Sequence, residues 1–159
     1  MWIRNSTILF LLTVLFFSCD KKRSFDEYKS VGNAWHKDST VTFNLPLLDS
    51  TQRYNLFVNL RANNNYQFNN LFLIVSMELP NGFTKVDTLE YQMADVDGTL
   101  LGDGFTDIKE SKLFYKENVR LRSKYKVHIK QAVRENGKLS GLTALNGITE
   151  VGFRIEKKE

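Results

Sequence analysis

A single cysteine, at position 19 of 159 residues, rules out an internal disulfide, so any core must hold by apolar packing alone. Histidine is almost as scarce. His36 and His128 have no neighbouring cysteine to complete a zinc site, which removes the common transition-metal centres. No apolar run approaches the ~20 residues that a membrane-spanning helix needs. Helical spacing with caps is missing from every window of about eleven residues, and internal repeats and low-complexity tracts are absent too. A net charge of +4 is too mild to mark a nucleic-acid partner.

What the chain does have begins with a short leader. Arg4 supplies a positive start, and the ten residues 8–17 form an apolar stretch of signal-peptide length. Phe16-Phe17-Ser18-Cys19 follows as a loose lipobox, with the small Ser18 at the cleavage position. This predicts a lipoprotein signal over residues 1–18 and a lipid, diacylglyceryl with a further N-acyl chain, on Cys19. Each buried methylene contributes ~0.8 kcal/mol, so several chains hold a protein on a bilayer where one does so only marginally. A buried structural role for Cys19 is incompatible with Asp20-Lys21-Lys22-Arg23 directly after it. Residues 19–34, charged and poor in apolar anchors, read as a lipidated, solvated tether. One Asp followed by three cations argues for the periplasmic side of the envelope.

Removal of residues 1–18 takes away Arg4 and leaves 21 Lys and Arg against 18 Asp and Glu, a net +3. The remaining 141 residues suffice for one domain, since chains of about 150 residues bury roughly 68–70% of their unfolded surface. Apolar side chains are plentiful, with 42% hydrophobic residues and twelve Phe in the full sequence, nine of these Phe beyond residue 18.

The dominant period is two, the mark of strands. Val41, Phe43 and Leu45 alternate with polar residues until Pro46, and Tyr54, Leu56, Val58 and Leu60 repeat the pattern. Residues 71–77 are apolar on both faces apart from Ser76, which predicts a central strand covered on both sides. Pro80-Asn81-Gly82 turns into a strand carrying Leu89, Tyr91 and Met93 on one face; residues 113–115 and the alternation of Val151, Phe153 and Ile155 complete the set. The expected fold is all-β: an antiparallel, jelly-roll-like β-sandwich of seven or eight strands over residues 35–159.

Residues 119–134 sort by parity, odd positions mostly apolar and even ones carrying Arg120, Arg122, Lys124, Lys126, His128, Lys130 and Arg134. As a strand this would present a basic ridge, broken in two by a bend near Ser123 and Lys124 because sixteen residues exceed usual strand lengths. Lys124, Lys126, Lys130 and Arg134 are candidates for binding an acidic partner such as lipid headgroups. The competing reading is a row of cations guarding a sheet edge, neutralised by Glu150 or Glu156 on a neighbouring strand.

Catalytic signals are weak. Asp95-Val96-Asp97-Gly98-Thr99 matches the first motif of haloacid-dehalogenase phosphatases, but that chemistry needs a buried parallel strand before the first Asp. Asp95, Asp97, Asp103 and Asp107 are candidate calcium ligands, although Leu100 breaks an EF-hand pattern and turn chemistry explains the Asp-Gly pairs. Ser123 and His128 make no triad by spacing alone. The expectation is no enzyme and no cofactor beyond the acyl groups. An alternative is glycan binding, with Trp35, Tyr66 or Phe68 as stacking platforms; Trp35 is more simply a core plug.

Taken in order, the lipobox, Trp35, Tyr54 through Arg61-Ala62-Asn63, Asn69-Asn70-Leu71, Asp87-Thr88-Leu89-Glu90, Leu101-Gly102-Asp103-Gly104, Gln131-Ala132-Val133-Arg134 and the segment 151–157 resemble the GldH family of gliding motility lipoproteins of the Bacteroidetes. Leu100 and Val133 stand where the family pattern has Trp and Met, and both remain apolar. The resemblance implies an envelope lipoprotein that supports gliding beside other motility envelope proteins and the type IX secretion apparatus; the expected location is the outer membrane, facing the periplasm. It transfers no catalytic residue.

Overall fold

The computed structural model describes residues 20–134, 137 and 140–159; the leader and Cys19 lie outside the described residues. The described residues form ten strands: β1 (Arg23–Ser30), β2 (Ala34–His36), β3 (Val41–Asn44), β4 (Tyr54–Ala62), β5 (Asn70–Glu78), β6 (Thr84–Gln92), β7 (Lys109–Val119), β8 (Lys126–Gln131), β9 (Ala144–Asn146) and β10 (Ile148–Lys157). Every pairing between them is antiparallel. Two four-stranded sheets have the orders β1-β10-β4-β7 and β3-β8-β5-β6, and β2 pairs with β9. Both large sheets are open, and no helix occurs among the described residues.

Alternation explains which faces meet. Leu56, Val58 and Leu60 on β4 and Val151, Phe153 and Ile155 on β10 are buried, as are Leu71, Leu73 and Val75 on β5 and Val127 and Ile129 on β8. All belong to one cluster, in which Phe43 of β3 approaches Phe153 of β10 with ring centroids 6.2 Å apart. Burying each such side chain stabilises the fold by about 1.5–3 kcal/mol before conformational entropy is set against it. The sheets are also bridged along both edges. Lys29 of β1 donates to the Thr42 carbonyl of β3 at 2.6 Å, and Tyr115 of β7 donates to Asp87 of β6 at 2.7 Å. Trp35 of β2 and Leu145 of β9 plug one end of this core, the role expected of Trp35.

Four sequence expectations change. Where a solvated tether is expected over residues 19–34, β1 pairs with β10 from Arg23 to Ser30. Phe25 packs on the core, and the strand's charges find partners far along the chain, such as Arg154 for Asp26, which local composition cannot reveal. The break expected near Ser123 and Lys124 is a crossing between sheets rather than a bend: Val119 ends β7 in one sheet, Lys126 opens β8 in the other, and residues 120–125 cross between them. Finally, β5 is central but has one buried face; Phe72 and Ile74 on its outer side are only half-buried. With β1 and the short β2 and β9, the strands number ten rather than seven or eight.

One turn fixes the core plug. Gly147 has φ +89°, and a Cβ there would stand 2.1 Å from the Tyr66 backbone nitrogen. Gly147→Ala is expected to cost more than about 2 kcal/mol, seen as a fall in thermal midpoint, because neither the backbone conformation nor the neighbouring main chain can accommodate it.

Register gives the domain two distinct ends. At the near end β1 begins, β10 finishes, β4 begins and β7 finishes, with Arg23 opposite Glu156 and Tyr54 opposite both Lys157 and Val119. The second sheet places Asn44, Lys126, Glu78 and Thr84 at the same end, since residues 45–53 and 120–125 link it there to β4 and β7. At the far end lie the β6–β7 connection, residues 93–108, and the β2–β9 pair.

Candidate functional site

The outer face of the β1-β10-β4-β7 sheet holds two arginine clamps. Arg61 of β4 pairs with Glu110 of β7 at 3.0 Å and with Glu150 of β10 at 2.6 Å, and its guanidinium lies 4.3 Å from the Tyr28 ring centroid. Tyr28 donates to the same Glu110 at 2.8 Å. Arg154 of β10 pairs with Asp26 at 2.7 Å, with Glu156 at 2.6 Å and with Asp20 at the chain's entry. Lys112 adds a second contact to Glu156 at 2.6 Å while resting over Phe57. Burial alone would push the Glu156 carboxyl up, but hydrogen bonds from Lys112 and Arg154 outweigh it and hold the group below 4.5. These charges are spent on one another across strands, so the face acts as a latch joining β1 and β7 to the sheet.

The far-end segment 93–108 has a different character. It folds back through paired backbone bonds, Leu101 N–H to Met93 O at 2.8 Å and Asp103 with Glu110 at 2.8 Å in both directions. Gly102, at φ +119°, is required because a Cβ would meet the Glu110 carbonyl at 2.6 Å. On this frame Val96 and Phe105 are fully exposed, and Leu101 and Ile108 are partly so, at 38% and 44%. The candidate calcium ligands sit here too, but Asp95 accepts from Val96 N–H at 2.8 Å and Asp97 from Thr99 N–H at 2.9 Å. That backbone donor, with the Thr99 hydroxyl, holds the Asp97 carboxyl below its ordinary range. Among the described residues no three His, Cys, Asp or Glu side chains gather as a metal site. Asp95 follows the antiparallel β6 rather than the parallel strand that the phosphatase motif needs.

The basic ridge is spread along the domain rather than gathered. Lys126 lies at the near end of β8, Lys130 beside Ile74 on the outer face, and Arg134 beyond the far end of the strand. Lys124 and Lys126 rim a cavity of about 310 Å³ walled by Leu45, Leu79, Pro80 and Tyr125. Arg134 borders a separate one of about 440 Å³ with Phe68, Phe72 and Asn70. Since β8 runs between β3 and β5, the row guards no edge. Glu150 and Glu156 are engaged on the other sheet. His128 sits between Thr42 at 2.9 Å and Glu78 at 3.1 Å, away from any pairing with Ser123, and His36 faces Asp38 at 3.5 Å. The proposed glycan platforms are largely hidden: Trp35 and Tyr66 are buried, and Phe68 packs edge-on against Tyr66 with centroids 5.9 Å apart.

The family model described as GldH lipoprotein matches residues 23–155, from the first residue of β1 to within β10. The gliding motility lipoprotein GldH of Flavobacterium johnsoniae is 75% identical over 159 residues, covering all of both chains. The chain belongs to the GldH lipoprotein family. A GldH homolog from Christiangramia forsetii is 54% identical over 157 residues, covering 97% of this chain and 96% of that one. Membership gives the chain a role in gliding motility, and as a GldH lipoprotein it is a membrane-anchored envelope protein. Among solved structures, that of the infectious bursal disease virus VP2 subviral particle overlays 87% of this chain and 34% of that one at 13% identity, with a TM-score of 0.33, a superposition too weak to carry an argument.

Within this GldH chain the surface that sequence reading misses is the Phe105 loop. Its one signal is an aromatic residue set in the turn-forming run Gly102-Asp103-Gly104-Phe105-Thr106-Asp107, where no core position is available.

Proposed function

We propose that the chain is a non-enzymatic outer-membrane lipoprotein, exported by residues 1–18, lipidated on Cys19 and facing the periplasm, with its sheets stacked as a jelly-roll-like sandwich. In this reading it serves gliding as a structural or assembly part beside other motility envelope proteins and the type IX secretion apparatus. No cofactor beyond the covalent acyl groups is involved. The observation that carries the proposal is the far-end loop: Phe105 and Val96 stand fully in solvent at the end opposite the start of β1, on a glycine-framed and hydrogen-bonded segment. Exposed aromatics on ordered loops are characteristic protein-binding anchors. The charged side chains support the same reading, since the Arg61 pairs and the Arg154–Asp26 pair join strands instead of converging on a cavity.

Val96→Asp combined with Phe105→Asp tests it. Stability should change by no more than about 0.5 kcal/mol, because neither side chain touches the core, and the protein should still sediment with membranes. Spreading on agar should be lost. Full spreading by a stable, membrane-bound double variant would refute the loop's role.

A further inference from the structure

The near end differs from the rest of the domain in charge. Segments 20–23, 45–53, 78–85, 117–126 and 157–159, which form that end, hold eleven Lys and Arg against five Asp and Glu, an excess of six positive charges. From Cys19 onward the remaining chain holds ten against thirteen, an excess of three negative charges. The domain is therefore electrically polar along its length, positive where the chain enters and negative toward the Phe105 loop.

The same end carries two apolar projections. Leu47 follows Pro46 in the β3–β4 connection and is 64% exposed, and Phe83 closes the Pro80 turn between β5 and β6 and is 65% exposed. Between these connections lies the cavity whose walls are Leu45, Leu79 and Tyr125 and whose rim carries Lys124 and Lys126 against the single carboxylate of Glu78, itself within 3.1 Å of His128. The loops are tied together: Arg53 donates to the Asn118 carbonyl at 2.9 Å, Lys158 N–H to Arg53 O at 2.8 Å, and Lys22 pairs with Glu159 at 3.0 Å.

Position relative to the anchor decides what this surface meets. A free tether over residues 19–34 would let the domain drift roughly 50 Å from the bilayer, at about 3.4 Å per residue. With β1 starting at Arg23, four residue steps remain, a reach of at most ~14 Å, and Asp20 is itself held by Arg154. That confines the positive end to within one or two screening lengths, ~8–10 Å each, of the headgroups. Building on the Cys19 anchor proposed above, we infer that the near end is a membrane-docking surface: Leu47 and Phe83 enter the headgroup layer of the bilayer that holds Cys19, and the cations around Lys124 and Lys126 take anionic phospholipid headgroups. Docking holds the domain upright, with the Phe105 loop directed away from the membrane.

The lipidated full chain, purified from envelopes, tests this in vesicles of phosphatidylcholine with or without about 30% phosphatidylglycerol. Acylation occupies the sulfur of Cys19, so Leu47→Cys, Phe83→Cys or Phe105→Cys provides one free thiol for an environment-sensitive dye. In anionic vesicles the dyes at positions 47 and 83 should be quenched by a bilayer nitroxide at least threefold more than the dye at 105. Adding Lys124→Gln and Lys126→Gln, both exposed, or raising salt, should at least halve that quenching while flotation stays complete. Equal quenching at all three positions, quenching indifferent to lipid charge, or positions 47 and 83 shielded in native envelopes but wet in anionic vesicles, the sign of a protein cover, would each overturn docking. A chain that floats with neither vesicle would instead refute the Cys19 anchor, a result distinguishable from flotation with unquenched dyes.

Discussion

Cys19→Ser, exported behind a leader that is cleaved before residue 19, is expected to move the protein from the membrane pellet to the soluble periplasmic fraction and to abolish gliding. Acyl chains contribute ~0.8 kcal/mol per buried methylene, so removing them changes the partition between bilayer and water by many orders of magnitude. The positive near end retains only a weak, salt-sensitive attraction, and washing with high salt should release what remains. Labelled palmitate should enter the native protein and not the variant. Retention in salt-washed membranes with normal gliding would show that Cys19 is not the anchor.

Arg154→Ala should produce the largest loss of stability among single substitutions on the sheet surface. Its side chain is 15% exposed and holds carboxylates from the chain entry, β1 and its own strand. Truncation leaves Asp26, mostly shielded, without the cation that pairs with it, and leaves Glu156 with Lys112 alone. Breaking such a pair costs about 3–5 kcal/mol when buried; the remaining solvent access puts the expected loss nearer 3. At roughly 3 °C per kcal/mol for a domain of this size, the thermal midpoint should fall by roughly 10 °C. The acid dependence follows from Glu156. Its folded-state pKa lies below the unfolded 4.5, so its contribution is present above pH 4.5 and is lost as pH falls through the depressed folded value. Without Arg154 the depression shrinks, and the gap between native and variant midpoints should be widest near pH 7 and narrow by pH 3. An unchanged gap would assign the loss to packing rather than to charge. Loosening of β1 should also lengthen the link between Cys19 and the domain, so this variant joins fold stability to placement at the membrane.

Sequence reading recovered the strands whose alternation is intrinsic. Val41 and Phe43, residues 54–60 and Val151, Phe153 and Ile155 all lie in strands with the expected face buried, because period two is written in adjacent residues, while residues 71–77 form the expected strand with one face covered instead of two. β1 escaped it, since Asp26 and Tyr28 look solvated until Arg154 and Arg61 arrive from other strands. The basic parity of residues 119–134 was legible, but its division between two sheets was not, because alternation continues through the crossing while the backbone leaves one sheet for the other. Trp35 and Tyr66, open as sugar platforms when judged by residue type, are buried by β9 and the Gly147 turn. Phe105 shows the reverse: an apolar side chain among turn residues is invisible to periodicity and becomes evident as a site only when its loop is seen to leave it uncovered.

Site-specific photocrosslinking in gliding cells tests most directly that the domain is held at one end by lipid and engages its machinery at the other. A benzophenone side chain in place of Phe105 is predicted to yield an adduct with an envelope protein whose removal also stops gliding, while the same group in place of Phe83 yields adducts with phospholipid alone. Protein adducts from position 83 with only lipid or water products at position 105 would contradict that orientation and the role built on it.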